Sequence, residues 1–271
     1  MSQTTLLTID NAFATMRLSL FGAQVLGFCP KHDGRERLFL SSKALLDCSK
    51  SIRGGVPVCW PWFGSYKGSS PAAGLPAHGY ARTRLWKLVN LTELPHGTEV
   101  VLELADTSGP GFVGHAQLQL VIIVGDVLSI SLLTRNTGSS SFALGAALHS
   151  YFAIDDIHSA RVTGLSGSYS DKTQNWAMLP TPSPYRFTAE TDRIHLDTPE
   201  RVELVCHHNV TAIESAGHDS VVVWNPWADG SHAFVDLTAD DYRHFVCVET
   251  ALTQGFELAP GQQHHLHQTI R

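Results

Sequence analysis

The chain has 271 residues, of which 43% are hydrophobic and 16% are charged, and its formal net charge is −6 with histidine neutral. The hydrophobic share predicts a sizeable core, and the net negative charge argues against binding to a nucleic-acid backbone, which requires a basic face. No apolar run approaches the roughly 20 residues of a membrane-spanning helix, so we expect no membrane partner.

Strand patterns dominate the chain. From Ala14 to Leu20, apolar and polar residues alternate, which predicts a strand with one buried and one wet face. The runs Leu118–Val124 and Val127–Leu133 flank Gly125 and Asp126, which predicts a tight hairpin. Further strands are predicted, from β-rich runs between turn residues, at Val25–Cys29, Trp86–Thr92, Glu99–Ala105, Arg201–Val205, Val221–Trp224 and His244–Thr250.

Other elements are few. Ser42–Ser49 is the only segment with a helical pattern, and its first serine is a possible N-cap. The Pro-rich stretch Leu179–Tyr185 predicts a rigid surface loop. Near the end of the sequence, we expect a last strand with exposed imidazoles at His264, His265 and His267.

These signals together predict an all-β fold, a large antiparallel β-sandwich. Strand–helix–strand alternation is absent from the sequence pattern, as are internal repeats and low-complexity linkers. Sandwiches of this length commonly form one unit. We therefore expect a single domain over residues 1–271, and nothing in the sequence demands more than a monomer.

The cysteines and histidines predict no metal site. The five cysteines are odd in number and contain no Cys-x-x-Cys pair, so we expect neither a disulfide framework nor structural zinc. The 15 histidines form no His-x-x-x-His or His-Glu-x-x-His pair on a helical pattern. The first residues lack a basic segment followed by an apolar one, so we predict no signal peptide and a reduced, cytoplasmic protein.

Four stretches place ionisable residues inside apolar strands or glycine-containing turns. These candidates for chemistry are Arg53 within Ser51–Gly64, His78 and Arg82 within Leu75–Arg82, His149 within Leu144–Phe152, and Glu249 within Phe245–Ala251.

Each candidate has a structural alternative. A carboxylate is almost never buried unless it is paired or used, so Glu249 is the most informative residue. His149 is equally compatible with a hydrogen-bonded core histidine. Arg53 and Arg82 are also compatible with structural salt bridges, and the tryptophans with core packing.

The motifs, taken in order, resemble the aldose 1-epimerase (mutarotase) superfamily and, within it, the hexose-6-phosphate mutarotase branch. The resemblance covers most of the chain. It rests on Asn11, Gly22–Leu26, Leu38–Ser41, Arg53–Pro57, His78–Arg82, His149–Phe152, Asp171–Lys172, Glu190–Asp192, Val223–Pro226 and Val248–Glu249. It implies a galactose-mutarotase-like supersandwich with an active site in a cleft on one sheet face.

The resemblance also implies residue roles. His149 and Glu249 match the catalytic histidine and glutamate of the family. Four residues match substrate-binding positions, namely Arg53, His78, Arg82 and Asp192. One departure is Ala77, where some relatives carry a substrate-contacting glutamine, and this leaves one sugar contact open.

Such a family interconverts the α and β anomers of a sugar. The anomeric hydroxyl loses a proton, the ring oxygen gains one, and the ring opens and closes again. This chemistry needs one base and one acid, and the expected assignment is Glu249 as base at O1 and His149 as acid at O5, without a cofactor. Planar guanidinium groups suit a 6-phosphate, so the expected substrate is a small sugar phosphate such as glucose 6-phosphate.

Three alternatives stay open at this point. A mutarotase for unphosphorylated aldoses would share the His–Glu pair without needing two arginines. A non-catalytic sugar-phosphate-binding protein would need neither acid nor base. A lyase or hydrolase acting on polysaccharide would favour an export signal, and we predict none.

Overall fold

A computed structural model describes residues 5–67 and 74–271. In these residues, strands predominate and helices are short. The strands are β1 Leu6–Asp10, β2 Ala14–Ser19, β3 Gln24–Pro30, β4 Val58–Cys59, β5 Lys87–Leu94, β6 Gly97–Leu104, β7 Ala116–Val124, β8 Leu128–Asn136, β9 Phe142–Leu148, β10 Tyr151–Ala153, β11 Ala160–Thr163, β12 Ser168–Asp171, β13 Ala177–Pro180, β14 Tyr185–Arg186, β15 Thr191–His195, β16 Arg201–Cys206, β17 Asn209–Ala216, β18 Ser220–Asn225, β19 Phe245–Leu258 and β20 Gln263–Ile270. The helical elements are α1 Trp227–Ala233 and the 3₁₀ turns Ala81–Thr83, Lys172–Gln174 and Asp241–His244.

The strands form three antiparallel sheets. A nine-stranded sheet has the order β14-β11-β16-β17-β20-β8-β7-β6-β5. An eight-stranded sheet has the order β13-β12-β15-β18-β19-β9-β4, with β10 paired to β19. A small sheet joins β1, β2 and β3. The expected all-β, antiparallel fold is therefore confirmed, and each strand predicted from the sequence overlaps an observed one.

One hydrophobic core lies between the two large sheets. Alternate residues of β7 and β8, such as Leu120 and Ile130, point into it from the nine-stranded sheet. Val223 of β18 and Val248 of β19 enter the same cluster from the eight-stranded sheet. Because side chains alternate along a strand, the neighbours of these valines lie on the opposite face of the eight-stranded sheet, which carries the site described below.

The prediction of a helix at Ser42–Ser49 is wrong. The segment forms turns and bends, in which Ala44 N–H donates to the Ser41 carbonyl and Cys48 adopts a φ of 63°. A short helix gains few backbone hydrogen bonds. Here, packing of Ala44 and Leu46 against Leu26 and other buried residues decides the conformation instead. The helix that does form, α1, follows Pro226 and contains a glycine, so its sequence pattern is weak.

Two smaller expectations are partly met. The Pro-rich loop is shorter than predicted, because Pro180 ends β13 and Tyr185 begins β14 as a buried residue. The last strand exists as β20, but it lies inside the nine-stranded sheet, between β17 and β8. Of its three histidines only His265 is exposed.

In the parts of the chain that the structure describes, no helix has both the length and the apolar character needed to cross a membrane.

Candidate active site

His149 and Glu249 meet on the face of the eight-stranded sheet that points away from the main core. In the antiparallel pair of β9 and β19, Leu148 lies opposite Thr250. His149 follows Leu148 and Glu249 precedes Thr250, so these two residues lie beside each other. The Nε2 atom of His149 lies 3.2 Å from Oε1 of Glu249. Both residues are buried, with 8% and 2% of their surface exposed. The two candidates are therefore within hydrogen-bonding reach.

Aromatic rings surround the imidazole. The His149 ring stacks on Tyr151 at a centroid distance of 5.1 Å and an interplanar angle of 15°. The edge of Trp224 packs against it at 5.8 Å. Tyr151 and Trp224 both lie opposite Cys247 of β19, on neighbouring strands. This apolar wall limits water and fixes the orientation of the histidine.

Two polar atoms of the pair have no hydrogen-bond partner among the described residues. They are Nδ1 of His149 and Oε2 of Glu249, and both are buried. Leaving a buried polar atom unpaired costs roughly 1–3 kcal/mol, so natural structures rarely keep such atoms without a use. The arrangement leaves one free polar atom on each residue for a ligand.

Burial sets the protonation of the pair. Burial lowers the pKa of His149 well below its ordinary value of 6.5, and the nearby His78 and Arg82 lower it further. Burial raises the pKa of Glu249 well above 4.5, helped by Asp192 and opposed by Arg82 and Lys172. Burial therefore favours the neutral imidazole of His149 and the protonated carboxyl group of Glu249.

Backbone hydrogen bonds connect the loop that carries Arg53 to the segment that contains His149. His149 N–H donates to the Pro57 carbonyl at 3.0 Å, and Tyr151 N–H donates to the Gly55 carbonyl at 2.8 Å. Gly55 has a φ of 61°, and a Cβ atom there would lie 2.0 Å from the Val25 carbonyl oxygen. Only glycine fits this approach, which is the structural reason for the paired glycines after Arg53.

The Arg53 guanidinium already has partners. Its Nε atom lies 3.3 Å from Oδ1 of the buried Asp236, and Nη1 donates to the Tyr151 hydroxyl at 3.0 Å. Its Cζ atom lies 4.4 Å from the centroid of the Phe234 ring. Arg53 is thus held rigidly next to the aromatic wall, with its charge partly balanced.

His78 lies beside the pair in a fixed protonation state. Its ring centroid is 5.7 Å from that of His149. Burial and the charge of Arg82 lower the pKa of His78 to about 3. The Gly64 N–H donates to Nδ1 of His78 at 3.3 Å, so the proton of the neutral ring is on Nε2. His78 therefore offers a hydrogen-bond donor without a charge.

Charged side chains surround the pair. Arg82 donates from Nη2 to the Ala77 carbonyl at 2.8 Å, and its charge acts on the pKa of both His149 and Glu249. Nζ of Lys172 lies 2.6 Å from Oδ2 of Asp192. Asp192 is opposite Trp224 in the sheet register, so it faces the same side as the aromatic wall.

The structure thus brings the six residues named from the sequence to one face of one sheet. Sequence reasoning missed three neighbours, Tyr151, Trp224 and Lys172. All three lie within the motifs that carry the resemblance, but aromatic residues were interpreted as packing and the lysine received no role. Their contribution depends on neighbours from other strands, which no local pattern reveals.

Comparison with known proteins gives a consistent result. The model of the family described as "Aldose 1-epimerase" matches residues 5–271. A protein of Escherichia coli (strain K12), provisionally named a glucose-6-phosphate 1-epimerase, is 34% identical over 98% of this chain and 90% of its own length. One from Cenchrus ciliaris with the same provisional name is 31% identical over 90% and 77%, respectively. The crystal structure of a provisionally assigned mutarotase from Salmonella typhimurium superimposes with a TM-score of 0.90 at 30% identity, covering 99% of this chain and 90% of that one.

Proposed function

The chain belongs to the aldose 1-epimerase family and interconverts the α and β anomers of a sugar, and we propose that its substrate is a hexose 6-phosphate, with glucose 6-phosphate as the first to test. The observation that supports the catalytic assignment is the buried His149–Glu249 pair, in which each residue keeps one unpartnered polar atom. The names of the relatives and the nearby cations support the phosphorylated substrate.

In this proposal, the pair supplies the one proton that mutarotation needs. Transfer of that proton from Glu249 to His149 gives a carboxylate and an imidazolium without exchange with solvent. Glu249 then removes the proton from O1 while His149 protonates O5, and the C1–O5 bond breaks to give the open aldehyde. Rotation about C1–C2 exposes the other carbonyl face. Ring closure reverses both proton transfers.

The neighbouring residues bind the sugar in this scheme. The neutral His78 donates from Nε2 to a sugar oxygen, and Asp192 accepts from hydroxyl groups. Arg82 and Arg53 bind the phosphate dianion, since guanidinium groups pair well with phosphate oxygens. Because Asp236 already balances Arg53, we expect Arg82 to contribute more of the phosphate affinity.

We also propose that residues 1–271 act as one domain. The core cluster contains residues from both large sheets, and the family model matches from residue 5 to residue 271. The small-molecule sugar is then sufficient as a partner, and a monomer suffices for the site because the six proposed residues come from one chain.

The catalytic assignment is tested with Glu249→Gln. This change removes the titrating group but keeps the side-chain shape, so the enzyme-dependent rate of anomer exchange should fall by roughly 10²–10⁴-fold. Saturation-transfer NMR on glucose 6-phosphate measures that rate. Glu257→Gln, at an exposed position of the same strand, is the matched control and should keep the wild-type rate. A folded Glu249→Gln protein with full activity would refute the assignment.

The phosphate assignment is tested with Arg82→Ala. The change removes a charge-assisted contact that only a phosphorylated sugar makes, so KM for glucose 6-phosphate should rise by roughly tenfold or more, corresponding to about 1.5–3 kcal/mol. KM for glucose should change much less. The measurement is exchange NMR on both sugars at several concentrations. Equal increases for the two sugars, or a wild-type preference for glucose, would favour an aldose mutarotase instead.

A further inference from the structure

Asp155, Cys206 and His207 form a cluster away from the sheet face that carries His149. One possible ligand atom from each residue lies within 4.8 Å of the other two. It is the only such group of acidic, cysteine and histidine side chains within residues 5–67 and 74–271. We propose that these three residues bind a divalent transition-metal ion of the zinc type. This site is independent of the proposed catalytic function.

Two chain segments build the cluster. Cys206 ends β16, and His207 begins the turn that leads into β17. Asp155 lies in the loop after β10. His207 has a φ of 52°, a left-handed conformation that costs a residue with a Cβ roughly 1–2 kcal/mol. Cys206 pairs with Asn209, so His207 is the first residue of a two-residue hairpin turn, which favours this conformation.

Hydrogen bonds orient the side chains of the cluster. The Ser159 hydroxyl lies 3.1 Å from Cys206 Sγ and 3.2 Å from His207 Nε2, so thiol and imidazole converge on one point. Nδ2 of Asn209 donates to Oδ2 of Asp155 at 3.3 Å. Contacts of this kind orient ligands in metal sites.

The ligand chemistry favours zinc. Thiolate, imidazole and carboxylate are the three groups that Zn²⁺ accepts, and a water molecule can complete a four-coordinate site. A cavity of about 90 Å³ next to the cluster, lined in part by Asp155, Cys206 and Asn209, provides room for that water. Arg35 also lines this cavity. Its positive charge opposes a cation, so the three ligands must bind the ion tightly enough to offset this repulsion.

Spacing in the sequence could not reveal this site. Cys206 and His207 are adjacent in the chain, whereas Asp155 comes from a distant loop, so no ligand motif appears. The expectation of no metal site therefore rested on local patterns alone.

The test uses Co²⁺ as an optical probe in the full-length protein. A thiolate ligand gives a near-ultraviolet charge-transfer band, which histidine ligands alone do not give. We expect one equivalent of Co²⁺ to produce this band and Zn²⁺ to remove it by displacement. Cys206→Ser should abolish the band, and Asp155→Asn should weaken Co²⁺ binding by roughly tenfold or more.

Cys48→Ser is the control, because Cys48 is also a free cysteine and is more accessible than the buried Cys206. Its Co²⁺ spectrum should equal that of the wild type. Circular dichroism checks that each variant is folded, and Asn209→Ala provides a second, milder perturbation if Cys206→Ser does not fold. Wild-type protein without a charge-transfer band at excess Co²⁺ would overturn the proposal. So would a band that persists in folded Cys206→Ser or disappears in Cys48→Ser.

Discussion

His149 and Glu249 are both buried, and burial moves their pKa values in opposite directions. The neutral pair and the ion pair contain the same number of protons, so the charge of the site does not change when the proton moves between them. Arg82 and Lys172 favour the carboxylate form of Glu249. Burial favours the neutral pair, and the two cations oppose that preference at Glu249.

The pH dependence of kcat/KM follows from this pair. At low pH the pair gains a second proton and loses its base. Because the pKa of His149 lies below 6.5, the acid midpoint should fall below pH 6.5. At high pH the pair loses its only proton, and because the pKa of Glu249 is raised, this midpoint lies well above 4.5. The measurement is exchange NMR over a pH series.

Unphosphorylated glucose is the control for this profile. A phosphate group titrates near pH 6. Ionisation of glucose 6-phosphate can therefore change the measured pH profile, whereas glucose has no group that titrates in this range. His78, with a pKa of about 3, stays neutral at higher pH. An acid midpoint at or above pH 6.5 with glucose would contradict the buried-pair description.

At the scale of elements, the site depends on how β9 and β19 are paired and on the loop that carries Arg53. Leu148 lies opposite Thr250, and a shift by one residue would turn Glu249 into the main core. The loop at Gly55 then approaches Val25 so closely that a side chain is excluded. Register and close approach together fix the His149–Glu249 pair relative to Arg53.

Gly55→Ala should destabilise the protein through this approach. The free energy of unfolding should fall by about 1–3 kcal/mol more than in the control Gly34→Ala, because of overpacking against the Val25 carbonyl. The control has a similar φ of 64°, but no described atom lies within 4 Å of the position that a Cβ atom would take there, so it carries the cost of the left-handed backbone alone. Denaturant unfolding measures both values. Equal losses of unfolding free energy in the two variants would show that the protein relieves the contact with the Val25 carbonyl at no cost.

At the scale of the whole molecule, a buried polar network links the two large sheets behind the site. Gln268 of β20 accepts a hydrogen bond from the Ser150 hydroxyl and donates to Thr250 Oγ1 at 2.8 Å. All three residues are fully buried. Ser150 follows His149 and Thr250 follows Glu249, so the nine-stranded sheet helps to position the proposed catalytic pair.

Gln268→Ala tests this link. The change leaves the buried Ser150 hydroxyl without its partner and leaves Thr250 Oγ1 bonded to Ser215 alone. It also creates a cavity, so the free energy of unfolding should fall by about 2–4 kcal/mol. kcat for anomer exchange should fall more than KM changes, because the pair shifts while the sugar contacts remain. Chemical denaturation and exchange NMR give the two readouts. Gln263→Ala, at an exposed position of the same strand, should stay within about 0.5 kcal/mol of the wild type.

Strand periodicity and the rarity of buried carboxylates are local properties, so the sequence by itself determined the all-β class, most strand positions and the importance of Glu249. The resemblance added the role of His149. Tertiary structure alone decided that Ser42–Ser49 is not a helix, because packing against Leu26 outweighs a weak local preference. It also decided the protonation of the His–Glu pair, the pairing of Arg53 with Asp236 and the grouping of Asp155 with Cys206 and His207. Burial and charge act through space, between residues that the chain order keeps apart.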